Sequence, residues 1–127
     1  MSTLTAILLV GIGGALGSIG RYLLGGWVHA LTPFGTFPLG TLVVNVLGCL
    51  IIGVLGGIND VRQALGPELR VFLMIGVLGG FTTFSSFAYE TLALARDAEM
   101  GRALINVAAQ VLLGLGAAWI GYSLVRG

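Results

Sequence analysis

The chain has 127 residues, of which 57% are apolar and 9% charged, far from the soluble averages of roughly 45–50% and 25%, and this composition is that of one membrane-embedded domain. All the basic residues are arginines (Arg21, Arg62, Arg70, Arg96, Arg102, Arg126), balanced by five acids without any run of like charge, which excludes nucleic acid as a partner. Cys49 is alone, so it forms no internal disulfide and reads as a small buried hydrophobe.

A bilayer core about 30 Å thick takes about 20 apolar residues of helix, because lipid offers the backbone no hydrogen bonds and a helix satisfies its own. The first such segment covers residues 3–30 and is interrupted only by Arg21. It lacks the positive leader of a secretory signal, so it is expected to remain as the first helix. Pro33, Gly35 and Pro38 mark a short uncharged turn. The second span covers 39–58, and the connection after it carries charges and the breaker Gly66-Pro67. The third span covers 69–95. A charged connection from Arg96 to Arg102 leads to a fourth span, 103–124, without charged residues. Trp27, Trp119 and Tyr122 fall near helix ends, where amphipathic rings favour the interface. The fold class expected is an all-α membrane protein: four transmembrane helices in a single domain over 1–127.

Glycine occurs 22 times, and pairs four apart recur at Gly13 and Gly17, Gly53 and Gly57, Gly76 and Gly80. Small residues at that spacing let helix backbones approach closely, which replaces the hydrophobic drive that lipid does not supply. The run from Gly11 to Gly17 has neither the spacing nor the preceding strand of a dinucleotide fingerprint. With four spans both termini share a side with the second connection. That side carries Arg62, Arg70 and Arg126; the other carries Arg96 and Arg102, with Arg21 if its side chain reaches that way. The positive-inside rule therefore prefers neither orientation. A chain that inserts both ways can form an antiparallel, dual-topology homodimer, whereas finer cues would set a single orientation.

Arg21 lies deep in a span, where an arginine costs at least ~2.5–3.5 kcal/mol, so it needs a partner or water. Glu90 is the candidate partner, since both residues lie toward the same membrane face; the alternative is separate solvation of each. Residues 79–87 read Gly-Gly-Phe-Thr-Thr-Phe-Ser-Ser-Phe. Paired glycines, β-branched threonines and backbone-competing serines make a poor continuous helix, so a break is expected in the third helix. Freed carbonyls at such a break can bind a cation such as Na⁺. Phe81, Phe84 and Phe87 are three apart and stack along one side of a helix; packing is the ordinary use of such a stripe, yet electropositive ring edges can also approach an anion. Asn45 stands one turn from Thr41, and Asn106 and Gln110 repeat that spacing, either as donors to an anion or as interhelical hydrogen bonds. His29 stands alone and no nucleophile–base pair is present, so no enzyme is expected.

Together these motifs resemble the Fluc (CrcB-type) fluoride channels over essentially the whole chain. The matching pieces are the run from Gly13 to Tyr22, the stretch around Asn45 from Gly40 to Gly48, and the segment from Gly79 to Phe87. The resemblance implies an antiparallel dual-topology homodimer in the inner (plasma) membrane, with two anion pores and passive export of fluoride from the cytoplasm. It also implies a structural Na⁺ at the two-fold axis. On matching positions, Phe84 and Phe87 would be pore rings, Asn45 a fluoride-coordinating amide and Thr41 part of the polar path. Gly79 and Thr82 would offer backbone carbonyls to Na⁺. Read from their own places in the chain, Arg21 and Glu90 would form a structural ion pair, or Arg21 would gather anions at a vestibule. The partners implied are fluoride, sodium, membrane lipid and a second copy of the chain. Where the family's fourth helix commonly has hydroxyls, this chain has Asn106, Gln110 and Gly114. The rival reading is a small proton-coupled multidrug exporter, which needs a carboxylate typically in the first helix; here that helix has Arg21, and only Glu90 could serve. A membrane scaffold without flux is a third reading, disfavoured by the unusual central motif.

Overall fold

The computed structural model describes residues 1–33 and 35–127. These residues form an all-helical arrangement: α1 (Thr3–Leu31), α2 (Leu39–Asp60), α3 (Pro67–Arg70), a π-helical stretch (Val71–Val77), α4 (Leu78–Phe81), α5 (Phe84–Arg96) and α6 (Met100–Arg126). Among the described residues four helices are long and apolar enough to cross a membrane: Thr3–Leu31, Leu39–Asp60, Pro67–Arg96 and Met100–Arg126. The third, made of α3, the π-helical stretch, α4 and α5, is broken between Phe81 and Phe84.

Local chemistry sets the ends. Ser2 caps α1, its hydroxyl accepting the Thr5 N–H at 3.1 Å. Pro67 opens α3 at a first-turn position, where a missing N–H costs nothing. The last helix begins at Met100, three residues ahead of the expected start, so the charged connection shrinks to residues 97–99. The reversal is tight because Ala98 takes a left-handed φ of 60°, and the Glu99 N–H returns to the Leu94 carbonyl at 2.9 Å. Within the third span the π-helical stretch ends with the Leu78 N–H bonded to the Leu73 carbonyl, five residues back, a widened turn of the kind that often accompanies functional sites.

Few apolar side chains are buried, chiefly Leu42, Val44, Leu78, Leu94 and Ala103, while residues such as Leu4, Ile7, Leu23, Leu112 and Leu124 face outward. That distribution suits an apolar solvent, in which association comes from close backbone approach. The glycine pairs supply it. A Cβ on Gly13 would lie 2.7 Å from the Phe72 carbonyl oxygen, and Gly17 abuts the Val77 carbonyl. Gly53 abuts the Ala118 carbonyl, and a Cβ on Gly57 would lie 2.8 Å from Val125. Residue numbers rise together along both seams, so α1 runs parallel to the first half of the third span and α2 parallel to α6. The third span changes neighbours at its break: before it, the chain packs mainly on α1; after it, α5 packs mainly on α6, and α2 touches both halves.

A Cβ on Gly121 would meet the Leu50 carbonyl and lie 2.9 Å from the Val54 nitrogen, both backbone. Gly121→Val is expected to part α2 from α6 and destabilise the fold by about 1–3 kcal/mol, the usual cost of overpacking. Thermal unfolding in detergent measures it.

Candidate functional site

The site is built around Thr82 and Thr83, which are extended (φ −90°, ψ 157° and φ −150°, ψ 119°) between two helical pieces. Several of the groups exposed by the break are recaptured by side chains. The Asn45 side chain lies against Thr83 and pairs with it twice: Thr83 N–H donates to Oδ1 at 2.9 Å, and Nδ2 donates to the Thr83 carbonyl at 2.9 Å. The Thr83 hydroxyl caps α5 by accepting the Ser86 N–H at 3.1 Å. The Thr82 hydroxyl donates back to the Leu78 carbonyl at 2.8 Å. Arg21 reaches across from α1, its Nε donating to the Gly80 carbonyl at 3.2 Å.

In an uninterrupted helix the Thr83 and Ser86 amides would bond the carbonyls four residues back, those of Gly79 and Thr82. Both amides are taken by side chains, so these two carbonyls lose their helical donors. Gly79 is also exposed, with open space where a Cβ would stand. Oxygen atoms of this kind suit a hard cation. Among the described residues no cluster of three or more His, Cys, Asp or Glu side chains is placed to hold a metal.

Beside the break lies an open groove of about 380 Å³, walled by Asn45, Cys49, Thr83, Phe84, Phe87 and Gln110 among others. Phe84 and Phe87 stand edge to face, with centroids 5.4 Å apart at 65°, and Phe84 is 79% exposed. A second cavity of about 380 Å³, lined by His29, Thr36, Thr41, Glu90 and Asp97, sits at the end of the bundle near the first and third connections. A third hollow is bounded by Thr41, Ser85, Ser86, Tyr89 and Glu90. Thr41 and Glu90 border both of these, and they are joined: the Thr41 hydroxyl donates to the Glu90 carboxylate at 2.6 Å.

Arg21 and Glu90, expected as a vestibule or an ion pair, take different partners here, Gly80 and Thr41. The cause is the change of neighbours at the break, which carries α5 away from α1. Asn45 and Thr83 are brought together, as are Phe84 and Phe87. Asn45, expected as an anion ligand, has its carbonyl oxygen and both amide hydrogens engaged, the second hydrogen by Gln110 Oε1 at 3.1 Å. Thr91 was not singled out from the sequence, yet its hydroxyl donates to the Phe87 carbonyl at 2.7 Å and accepts from Asn106 Nδ2 at 2.9 Å. The signal was available, since Thr91 follows Phe87 by one helical turn on the side that α6 covers.

The family model described as CrcB-like protein, Camphor Resistance (CrcB), matches residues 8–122, which takes in both glycine seams, the break and the groove. The chain belongs to this family. Several relatives bear the name "Fluoride-specific ion channel FluC". That of Methylobacillus flagellatus is 42% identical over 120 residues, covering 94% of each chain. That of Thermus thermophilus is 51% identical over 117 residues, covering 92% of this chain and 91% of its own. That of Geobacter metallireducens is 47% identical over 126 residues, covering 99% and 98%. Membership of a channel family, with four helices fit to span a membrane, makes this a multi-pass membrane protein and not an enzyme.

Replacing Asn45 by Leu leaves the Thr83 N–H without a partner at the break, while the Thr83 carbonyl, as the N-cap of α5, keeps the first bond of that helix. The expected loss is about 1–3 kcal/mol for the stranded amide, together with faster hydrogen exchange there; both are measurable on protein in detergent.

Proposed function

We propose that the chain forms a fluoride-selective channel that lets fluoride leave the cytoplasm passively across the inner membrane. The observation that carries this reading is the match, over nearly the full length of both chains, to relatives named as fluoride-specific channels. The groove supports it in physical terms. Fluoride binds water strongly, so a pore has to substitute donors for that water without becoming a trap, and neutral, distributed donors suit the balance. The electropositive edges of Phe84 and Phe87 are such donors. The amino-terminal end of α5, where the helix dipole is positive, opens at the same place. Asn45 would meet the anion through the hydrogen it shares with Gln110, the longer of its two donated bonds. The Thr41–Glu90 pair would stand on the polar path toward the outer cavity.

The functional unit of this reading is an antiparallel homodimer of dual topology, with two pores. A pore ring left 79% exposed on a single chain is half a pore wall, and the even spread of arginines between the two faces allows insertion in both directions. The Gly79 and Thr82 carbonyls, with the same pair from the second copy, would hold a Na⁺ on the two-fold axis. The ion would supply positive charge to carbonyls that lack helical donors, tying the two broken spans together.

The test is fluoride efflux from liposomes containing the purified protein, with chloride as comparison and a potassium ionophore to release charge. Fast fluoride efflux that requires the ionophore, with little chloride efflux, is expected. No fluoride flux from folded protein would overturn the reading; saturable, pH-dependent movement of bulky cations would point to a drug exporter. Phe84→Ile, which removes a ring edge, is expected to slow fluoride efflux about tenfold, equivalent to about 1.4 kcal/mol, with the dimer unchanged by gel filtration.

A further inference from the structure

Two buried polar atoms on α6 have no hydrogen-bond partner: Asn106 Oδ1 and Gln110 Nε2. Asn106 is fully buried, and an unpaired polar group in an apolar interior costs enough that a native structure is expected to satisfy it. The two residues are one helical turn apart, so their side chains are neighbours.

Their orientations are dictated by the groups around them. Thr91 spends its hydroxyl hydrogen on the Phe87 carbonyl, so toward Asn106 it can only accept, and Asn106 must present its nitrogen there. Asn45 is oriented by Thr83, which donates to its oxygen and accepts from its nitrogen; its remaining hydrogen therefore points to Gln110, which must present its oxygen. Turning Asn106 over would set its oxygen against the accepting Thr91 hydroxyl, and turning Gln110 over would set its nitrogen against the donating Asn45 amide. Asn106 is thus left with an acceptor and Gln110 with a donor, and each is pinned by its other end. A direct bond between them would require one to release Thr91 or Asn45.

We infer that a single water molecule is resident between Asn106 Oδ1 and Gln110 Nε2. The chemistry selects it. A halide can accept from Gln110 but cannot donate to Asn106, and a cation can meet the Asn106 oxygen but not the Gln110 amide. Water accepts from one and donates to the other, and keeps a second hydrogen. With the water in place a continuous chain of hydrogen bonds runs from the Phe87 carbonyl through Thr91, Asn106, water, Gln110 and Asn45 to Thr83. It ties to α6 the backbone on both sides of the two rings, and Gln110 lies on the groove wall. The water holds the same place whichever ion the groove conducts.

Solid-state NMR of the intact protein in lipid tests this through magnetisation transfer from water to the Gln110 side-chain NH₂. Transfer from a slowly exchanging water is expected in the unmodified protein, with loss of most of that signal in Asn106→Leu. Asn106→Asp keeps an acceptor and is expected to retain it, which separates loss of the water from loss of the fold. Absence of transfer in the unmodified protein would overturn the inference. Undiminished transfer in folded Asn106→Leu would do the same, since Gln110 would then be hydrated from the groove alone.

Discussion

A helix that stops and restarts inside an apolar solvent strands backbone amides and carbonyls where no water reaches them, and this structure turns on how those groups are met. Asn45 is the central answer. One planar amide offers an acceptor and a donor side by side, matching the N–H and carbonyl of Thr83 much as a neighbouring strand would. A serine or threonine there could not present both groups in one plane. Because Asn45 lies on α2, the break is made by tertiary structure: the partner that permits it is 38 residues away.

The glycine seams bring that partner within reach. A side chain as short as asparagine spans between helices only where backbones nearly touch, and α2 enters such a contact at Gly40, which abuts the Gly25 carbonyl, and at Gly48, which abuts the Thr82 side chain. A larger residue at Gly48 would displace Thr82 itself. The same close packing lets the third span trade α1 for α6 across the break while α2 touches both halves, separating Arg21, which steadies the first half, from Glu90, which is held by α2. Charged groups that sequence position alone places together are parted by two extended residues.

The four spans were legible because long apolar runs bounded by charges and proline leave little choice in lipid. Their ends were less so: the start at Met100 rests on the left-handed turn at Ala98 and the Glu99 amide, neither of which registers in hydropathy. The break was legible as a region, 79–87, because its residues are poor helix formers. It was not legible as Thr82 and Thr83, since Gly79 and Gly80 remain helical and the choice between these positions belongs to Asn45. The π-helical stretch has no local signature. In the site, Phe84, Phe87 and Asn45 stood out by type and spacing, whereas the links from Thr91 to Asn106 and from Gln110 to Asn45 depend on which face of α6 meets α5 and α2.

The pairing of first with third and second with fourth helices also bears on biogenesis. Chain leaves the ribosome in order, so α2 is threaded into the bilayer with its small-residue face uncovered and waits there until the whole of the third span and the last helix have been made. Until α6 arrives, the backbone at Gly53 and Gly57 meets only acyl chains, and Asn45 lacks the amide of Gln110. Completion of this bundle is therefore tied to α6, which is translated after the other three spans, and a chain stalled before it holds those three without the seam that locks the second in place.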